Sequence, residues 1–123
     1  MNLYAPFIAE GVLILAAGTF GVLLDRRGRP FGRVKLVVHL FLAAWFATGF
    51  VFIVLGLGTL AIAAVTWVPV TVMGLAILTQ LVTGIVMLAT GKRGRTFAAI
   101  HLSSAIVMLA SDACAFFLAR LRA

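Results

Sequence analysis

The feature that most constrains this chain is a run of residues, 36–91, that contains no aspartate, glutamate, lysine or arginine. An α-helix needs about 20 apolar residues to cross a hydrocarbon core of ~30 Å. The run is too long for one such span and too short for three spans with their turns, so it predicts two. Gly56, Gly58, Trp67 and Pro69 mark the break between these two spans.

Apolar stretches also flank this run, and the composition agrees with a membrane protein. Of the 123 residues, 64% are hydrophobic and only three are acidic. The chain is therefore predicted to be an all-α, integral membrane, four-helix up-down bundle. The first span is interpreted as a retained helix rather than a signal peptide, because no basic region precedes it. The predicted single transmembrane domain covers 1–123, with spans at about 7–24, 34–55, 69–90 and 97–119.

The basic residues predict the orientation of the spans. Most of them fall in two turns on one side: Arg26, Arg27, Arg29, Arg33, Lys35, Lys92, Arg93 and Arg95. Only Arg120 and Arg122 fall on the other side. The positive-inside rule puts both turns in the cytoplasm and both termini outside, in the inner or plasma membrane of a cell. Since these charges lie close to the spans, anionic inner-leaflet lipids are their expected partners, and nucleic acid is not.

The two basic turns belong to an internal repeat. An arginine precedes a histidine by six residues twice, as Arg33 before His39 and as Arg95 before His101. Similar apolar residues lie on either side, and four extra residues in the first turn are the main difference. The match predicts that the fold is built from two repeated transmembrane hairpins. The alternative is that two hydrophobic segments resemble each other by composition alone.

The repeat brings the two histidines of the chain to the same depth, ~9 Å into the membrane at 1.5 Å per residue. They belong to the second and fourth helices, which are diagonal in an up-down bundle and therefore roughly 11–14 Å apart. Helices in direct contact leave no room for two imidazoles and a metal between them. The larger distance between diagonal helices leaves enough room. The sequence therefore predicts one haem b per chain, with His39 and His101 as the metal ligands.

Three further pairs of residues are expected to complete the cofactor site. They are small residues four positions after each histidine, glycines that admit the porphyrin edge, and arginines that bind the propionates. In that order, the pairs are Ala43 and Ala105, Gly18 and Gly84, and Arg33 and Arg95. Close helix packing is the alternative role for the glycines, and a topology signal is the alternative for the arginines. For the histidines, the alternatives are another tetrapyrrole such as a chlorophyll, quinone contacts, or packing.

Two acidic residues break the repeat. Glu10 lies in the outer half of the first span and Asp112 in the outer half of the fourth, whereas their counterparts near Ala76 and Phe50 are apolar. Carboxylates inside a membrane are costly and are candidates for proton or ion sites. Helices one and four are neighbours in an up-down bundle, so the two carboxylates are expected to approach each other and share one proton, or to exchange protons with a quinol near the outer face. The alternative is that both are solvated at the outer interface.

Paired transmembrane histidines in a four-helix bundle resemble the membrane subunits of b-type cytochromes. The resemblance is confined to His39, His101, Gly18, Gly84 and the arginines. The predicted function is electron transfer, as a small cytochrome b or as the membrane anchor of a redox complex. A quinone, a redox partner subunit or a second copy of the chain are its expected partners, and whether the chain is itself a haem-dependent oxidoreductase stays open. The alternatives are a proton-coupled transporter that uses Glu10 and Asp112, and a structural subunit of a membrane complex.

Overall fold

All regular structure in the described part of the chain is α-helical. The computed structural model describes residues 4–26, 33–58, 64–90 and 94–120. These residues form four helices: α1 (Tyr4–Arg26), α2 (Arg33–Gly58), α3 (Ala64–Thr90) and α4 (Arg95–Arg120). Each helix is long and apolar enough to cross a membrane. The all-α class and the four predicted helices are therefore confirmed.

The predicted spans lie within the helices, and the largest difference is at the start of α3. That helix begins at Ala64, and Pro69 lies inside it and is buried. Proline has no N–H and cannot donate the usual helical hydrogen bond. The first four N–H groups of any helix have no intrahelical acceptor, but Pro69 is the sixth residue of α3, so it removes one helical hydrogen bond. Pro69 therefore lies within the first turns of α3 instead of beginning it.

The chain divides into two compact units, Met1–Ile62 and Ala63–Ala123. In the first unit, α1 packs on α2, and in the second, α3 packs on α4. Gly21 near the end of α1 lies beside His39 near the start of α2, so these two helices are antiparallel. We call the first unit the first hairpin.

The second unit has the same helix arrangement. Gly84 near the end of α3 lies beside His101 near the start of α4. Pro69, near the start of α3, lines the same groove as Ser111, further along α4. The two helices are therefore antiparallel, and we call this unit the second hairpin.

Most of the large apolar side chains are exposed on the helix surfaces. Val34 is 77% exposed and Phe52 69%, whereas the core residues Phe7, Val70 and Met73 are almost completely buried. Exposed apolar surface on this scale needs to be covered by lipid or by protein.

Candidate functional site

The two histidines occupy the same position in their helices. Helix α2 begins at Arg33 and α4 begins at Arg95, and each histidine follows six residues later (33 to 39 and 95 to 101). Both rings are half-buried, and both arginines are exposed. Each histidine therefore lies ~9 Å from the start of its helix.

The ring of His39 is held by the backbone of α1. Its Nδ1 atom lies 2.9 Å from the carbonyl oxygen of Ala17. A carbonyl can only accept a hydrogen bond, so Nδ1 is the donor and carries a proton. In the neutral ring the lone pair is then on Nε2. Gly21 gives the ring space, since a Cβ atom at this glycine would lie 3.3 Å from Cε1 of His39.

The ring of His101 is held by a side chain of α3. Its Nδ1 atom lies 2.8 Å from Oγ1 of Thr83. That hydroxyl is also 2.7 Å from the carbonyl oxygen of Thr79 and 3.2 Å from that of Gln80. With the one hydroxyl proton donated to the nearer carbonyl, that of Thr79, Nδ1 is the donor to Oγ1. His101 therefore has the same tautomer as His39, and a Cβ atom at Gly84 would lie 3.4 Å from its Cε1.

The backbone of His101 is also hydrogen-bonded by side chains. Its carbonyl oxygen accepts from Nε2 of Gln80 at 2.6 Å and from Oγ of Ser104 at 2.9 Å. At the matching positions of the predicted repeat, the first hairpin has Ile14 and Leu42. The surroundings of the second histidine are therefore polar, whereas those of the first are apolar at these two positions.

The two contacts to Nδ1 come from matching positions. Ala17 and Thr83 each lie one residue before the glycine that opens their segment of the predicted repeat, Gly18 or Gly84. Histidines that bind a metal through one nitrogen usually donate the N–H of the other to a carbonyl, carboxylate or water. Both rings have this donor arrangement at Nδ1, so in both of them Nε2 is the nitrogen with the chemistry of a metal ligand.

No sequence pattern indicated the role of Ala17, because its contact uses a backbone atom. Gly21 was not predicted either, because in the repeat it aligns with Met87 and not with a second glycine. Thr83 was also not predicted as a site residue. A detectable signal was present, since Thr83 aligns with Ala17 in the repeat and adds a hydroxyl where the first hairpin has a methyl.

The other predicted cofactor residues are distributed over both hairpins. Ala43 and Ala105 are half-buried, one helical turn after their histidines. A Cβ atom at Gly18 would meet no atom within 4 Å, so the backbone there is open. His39 and His101 belong to different units, and their joint ligation of one cofactor stays a prediction. Several predicted basic residues lie outside the described residues: Arg27, Arg29, Lys92, Arg93 and Arg122.

Both predicted acidic residues are buried. Glu10 is 4% exposed and Asp112 is 5% exposed. The carboxylate of Glu10 occupies the space beside Gly49 of α2, where an added Cβ atom would overlap Oε1. Asp112 lies in the second hairpin, so the predicted approach of the two carboxylates stays a prediction. Gly49 had not been singled out, because a notch for a side chain on another helix leaves no pattern in the sequence.

Comparison with known proteins adds no family. The chain matches no family model, and no curated protein or solved structure is similar to it.

Proposed function

We propose that this chain is a membrane cytochrome that binds one haem b through Nε2 of His39 and Nε2 of His101. The observation that carries the proposal is the matched hydrogen bond at Nδ1 of each ring. A hydrogen bond of this kind orients an imidazole and raises the basicity of the other nitrogen toward a metal.

The membrane setting follows from the surfaces of the helices. Four apolar helices of spanning length, with most of their large apolar side chains exposed, favour an integral membrane bundle of two repeated hairpins. The basic residues at the starts of α2 and α4 favour a cytoplasmic location for both turns. Both histidines then lie in the cytoplasmic half of the membrane.

The residues near the histidines suit the parts of a haem. When bound, haem b takes up and releases single electrons through its iron. Ala43, Ala105 and the open backbone at Gly18 offer flat surfaces next to the ligands. Exposed Arg33 and Arg95 at the helix starts suit propionate groups through charge-assisted hydrogen bonds.

Zinc fits this chain less well than haem does. Among the described residues, no group of three or more histidine, cysteine, aspartate or glutamate side chains could hold a metal ion. Zinc sites usually take three or four such ligands, whereas a haem would need only two ligands from the protein, and His39 and His101 would supply them.

The proposed role is electron transfer between a membrane quinone pool and a partner protein, as a small cytochrome or as the anchor of a redox complex. A cofactor in the cytoplasmic half of the membrane does not by itself carry electrons across it. A quinone, a redox partner subunit or a second copy of the chain would supply the next step.

The first test is an absorption spectrum of the protein purified in mild detergent from haem-replete cells, oxidised and then reduced with dithionite. We expect the sharp reduced-state bands of a six-coordinate haem, and their loss or conversion to a high-spin spectrum in His39→Ala and in His101→Ala. Thr48→Val is the matched control, since this exposed threonine bonds only to the backbone of its own helix. A colourless wild-type protein would contradict the proposal and favour the transporter or structural-subunit alternatives.

The tautomers can be measured without any haem. In apoprotein labelled with nitrogen-15, both imidazoles are expected to show a protonated Nδ1 and an unprotonated Nε2. A proton on Nε2 of either neutral ring would remove the observation on which the proposal rests.

A further inference from the structure

The second hairpin contains two buried polar atoms that have no hydrogen-bond partner among the described residues: Oδ1 of Asp112 and Oγ1 of Thr66. Asp112 is 5% exposed and Thr66 is 1% exposed. Buried polar groups are nearly always hydrogen-bonded, so each exception needs a physical explanation. Neither residue belongs to the histidine site.

The register of the hairpin places the two atoms at nearly the same level along the axes of α3 and α4. We call this part of the hairpin the section around Asp112. Gln80 bonds to the backbone of His101, which sets these two residues level with each other. Counting eleven residues away from this pair along each antiparallel helix reaches Pro69 on α3 and Asp112 on α4 (80 to 69 and 101 to 112). Thr66 lies one turn from Pro69, ~4.5 Å along the axis.

Pro69 adds a third oxygen to this section. Because proline has no N–H, the carbonyl four residues earlier, that of Val65, receives no helical hydrogen bond from it. The section therefore contains a carboxylate, a hydroxyl and a carbonyl oxygen, all of which can accept a hydrogen bond.

No basic side chain faces these oxygens from the helix packed against α4. Helix α3 carries no charged or titratable residue along its whole length. The other such residues of α4 are Arg95, His101, Cys114 and Arg120. His101 is eleven residues from Asp112, ~16 Å along the axis, and Arg120 is eight residues away, ~12 Å. Arg120 and Cys114 are both exposed.

A carboxylate that is buried without a donor or a cation has a large free-energy cost. We propose that Asp112 is a proton-exchange site, in which its carboxylate binds one proton and donates it in a hydrogen bond to the hydroxyl oxygen of Thr66. Release of the proton restores the carboxylate, and no electron is transferred. Among the described residues of the hairpin, Asp112 is the one carboxylate, so the site suits a proton better than a metal ion that needs six or more oxygens.

An open, mainly apolar groove lies beside this section. The groove has a volume of about 300 Å³ and lies between α3 and α4, with Pro69 and Ser111 in its wall. Ser111 is the residue directly before Asp112. This site does not depend on haem binding, and either proposal can fail while the other holds.

Infrared difference spectroscopy of the full chain in liposomes tests the site as the pH is changed. We expect a carboxylic acid C=O band that appears and disappears with pH and is lost in Asp112→Asn but retained in Glu10→Gln. In Thr66→Val, the band should move to higher frequency because a hydrogen bond is lost. Thr79→Val is the matched control on the same helix, since this hydroxyl bonds to its own helix and is not part of the section.

Three results would overturn the proposal. The first is a spectrum of Asp112→Asn identical to that of the wild type, and the second is a band that does not change with pH. The third is a wild-type band that disappears when choline chloride is replaced by sodium chloride, since the site would then bind sodium. If Asp112→Asn does not fold, Thr66→Val decides the matter, and an unshifted band in that variant would be the contradicting result.

Discussion

The two hairpins hold their histidines in the same tautomer by different chemical groups. In the first hairpin, Nδ1 of His39 donates to the backbone carbonyl of Ala17. In the second, Nδ1 of His101 donates to the side-chain hydroxyl of Thr83. The acceptor for His39 is a backbone carbonyl, which no substitution removes. The acceptor for His101 is a side-chain hydroxyl, which a single substitution removes. The hairpins should therefore differ in how they respond to mutation.

Away from the histidines, the hairpins differ more. The first hairpin has a buried carboxylate on its first helix, Glu10, in a notch at Gly49. The matching pair in the second hairpin is Ala76 and Ser111, and the buried carboxylate there is Asp112 on the second helix. The hydrogen bonds at Nδ1 of the two histidines come from matching positions, whereas the buried carboxylates do not lie at matching positions. This difference favours a shared role for the two histidines and separate roles for the two buried carboxylates.

The largest expected effect on stability is that of placing a serine at position 49 of the first hairpin, where the second hairpin has Ser111. In Gly49→Ser, the new Cβ atom would overlap the carboxylate of Glu10, which has to move within a packed interface. Glu10 is 4% exposed, so its carboxylate has little room to move, and overpacking of this kind costs up to about 3 kcal/mol of stability. Thermal unfolding in detergent, followed by circular dichroism, measures the loss.

The control for this prediction is the double variant Glu10→Ala with Gly49→Ser, which reproduces the Ala76 and Ser111 pair. We expect it to recover most of the stability lost in Gly49→Ser. If the double variant is as unstable as the single one, then the hairpins do not share the packing that the repeat predicts.

The next largest effect is expected at Thr83. In Thr83→Val, Nδ1 of His101 loses its acceptor, and outer-shell hydrogen bonds of this kind are typically worth about 10–100-fold in metal affinity. Haem titration of the apoprotein measures the change. Thr83→Ser keeps the hydroxyl and should bind almost as the wild type does.

Two comparisons limit the interpretation of the Thr83 result. Ala17→Val in the first hairpin keeps the carbonyl and should not alter the tautomer of His39 in a nitrogen-15 spectrum. Thr79→Val removes an exposed hydroxyl of the same helix and should leave haem affinity unchanged. Equal losses in Thr83→Val and Thr79→Val would mean that the helix, and not the hydrogen bond to His101, was affected.

A smaller difference is expected between the glycines beside the rings. A Cβ atom would lie 3.3 Å from His39 at Gly21, and 3.4 Å from His101 at Gly84. Gly21→Ala should therefore weaken haem binding about fivefold, the equivalent of ~1 kcal/mol, because the ring has to shift slightly. Gly84→Ala should have a smaller effect in the same titration. A larger loss in Gly84→Ala would contradict this order.

The smallest effect is expected from Gln80→Ile, which places a bulky apolar side chain like that of Ile14 in the second hairpin. The carbonyl of His101 then loses one of its two side-chain donors and keeps Ser104. Interhelical hydrogen bonds in membranes contribute about 0.6 kcal/mol on average, so we expect a loss of that size in thermal unfolding. A loss several times larger would mean that Gln80 also orients the ring, and the position of Nδ1 in the nitrogen-15 spectrum would then change.

Much of the fold was predictable from the sequence, because helices that need about 20 apolar residues leave a long and simple pattern. The absence of charge from 36 to 91 predicted α2 and α3, and the apolar stretches on either side of this run predicted α1 and α4. The start of α3 was not predictable in the same way. Pro69 is also typical of the first turn of a helix, and no pattern distinguishes that position from one a turn further inside.

The candidate site was predictable only where side chains carry the signal. The histidines and the two acidic residues were identifiable because polar side chains in apolar segments are rare. The acceptor for His39 and the notch for Glu10 were not identifiable. Every residue has a backbone carbonyl, and a glycine that makes room for a side chain cannot be distinguished in the sequence from any other glycine. Both depend on which residue of the neighbouring helix lies opposite, and that is known only from the packed hairpin.

The contact between His39 and Ala17 also affects how this protein responds to point mutation. Every amino acid has a backbone carbonyl, so saturation mutagenesis of position 17 should not reveal this hydrogen bond, whatever residue is introduced. Position 83, by contrast, should tolerate only serine or threonine if His101 binds a metal. A genetic screen would therefore find the support of one histidine and miss the support of the other, although the two bonds differ by only 0.1 Å, at 2.9 Å and 2.8 Å.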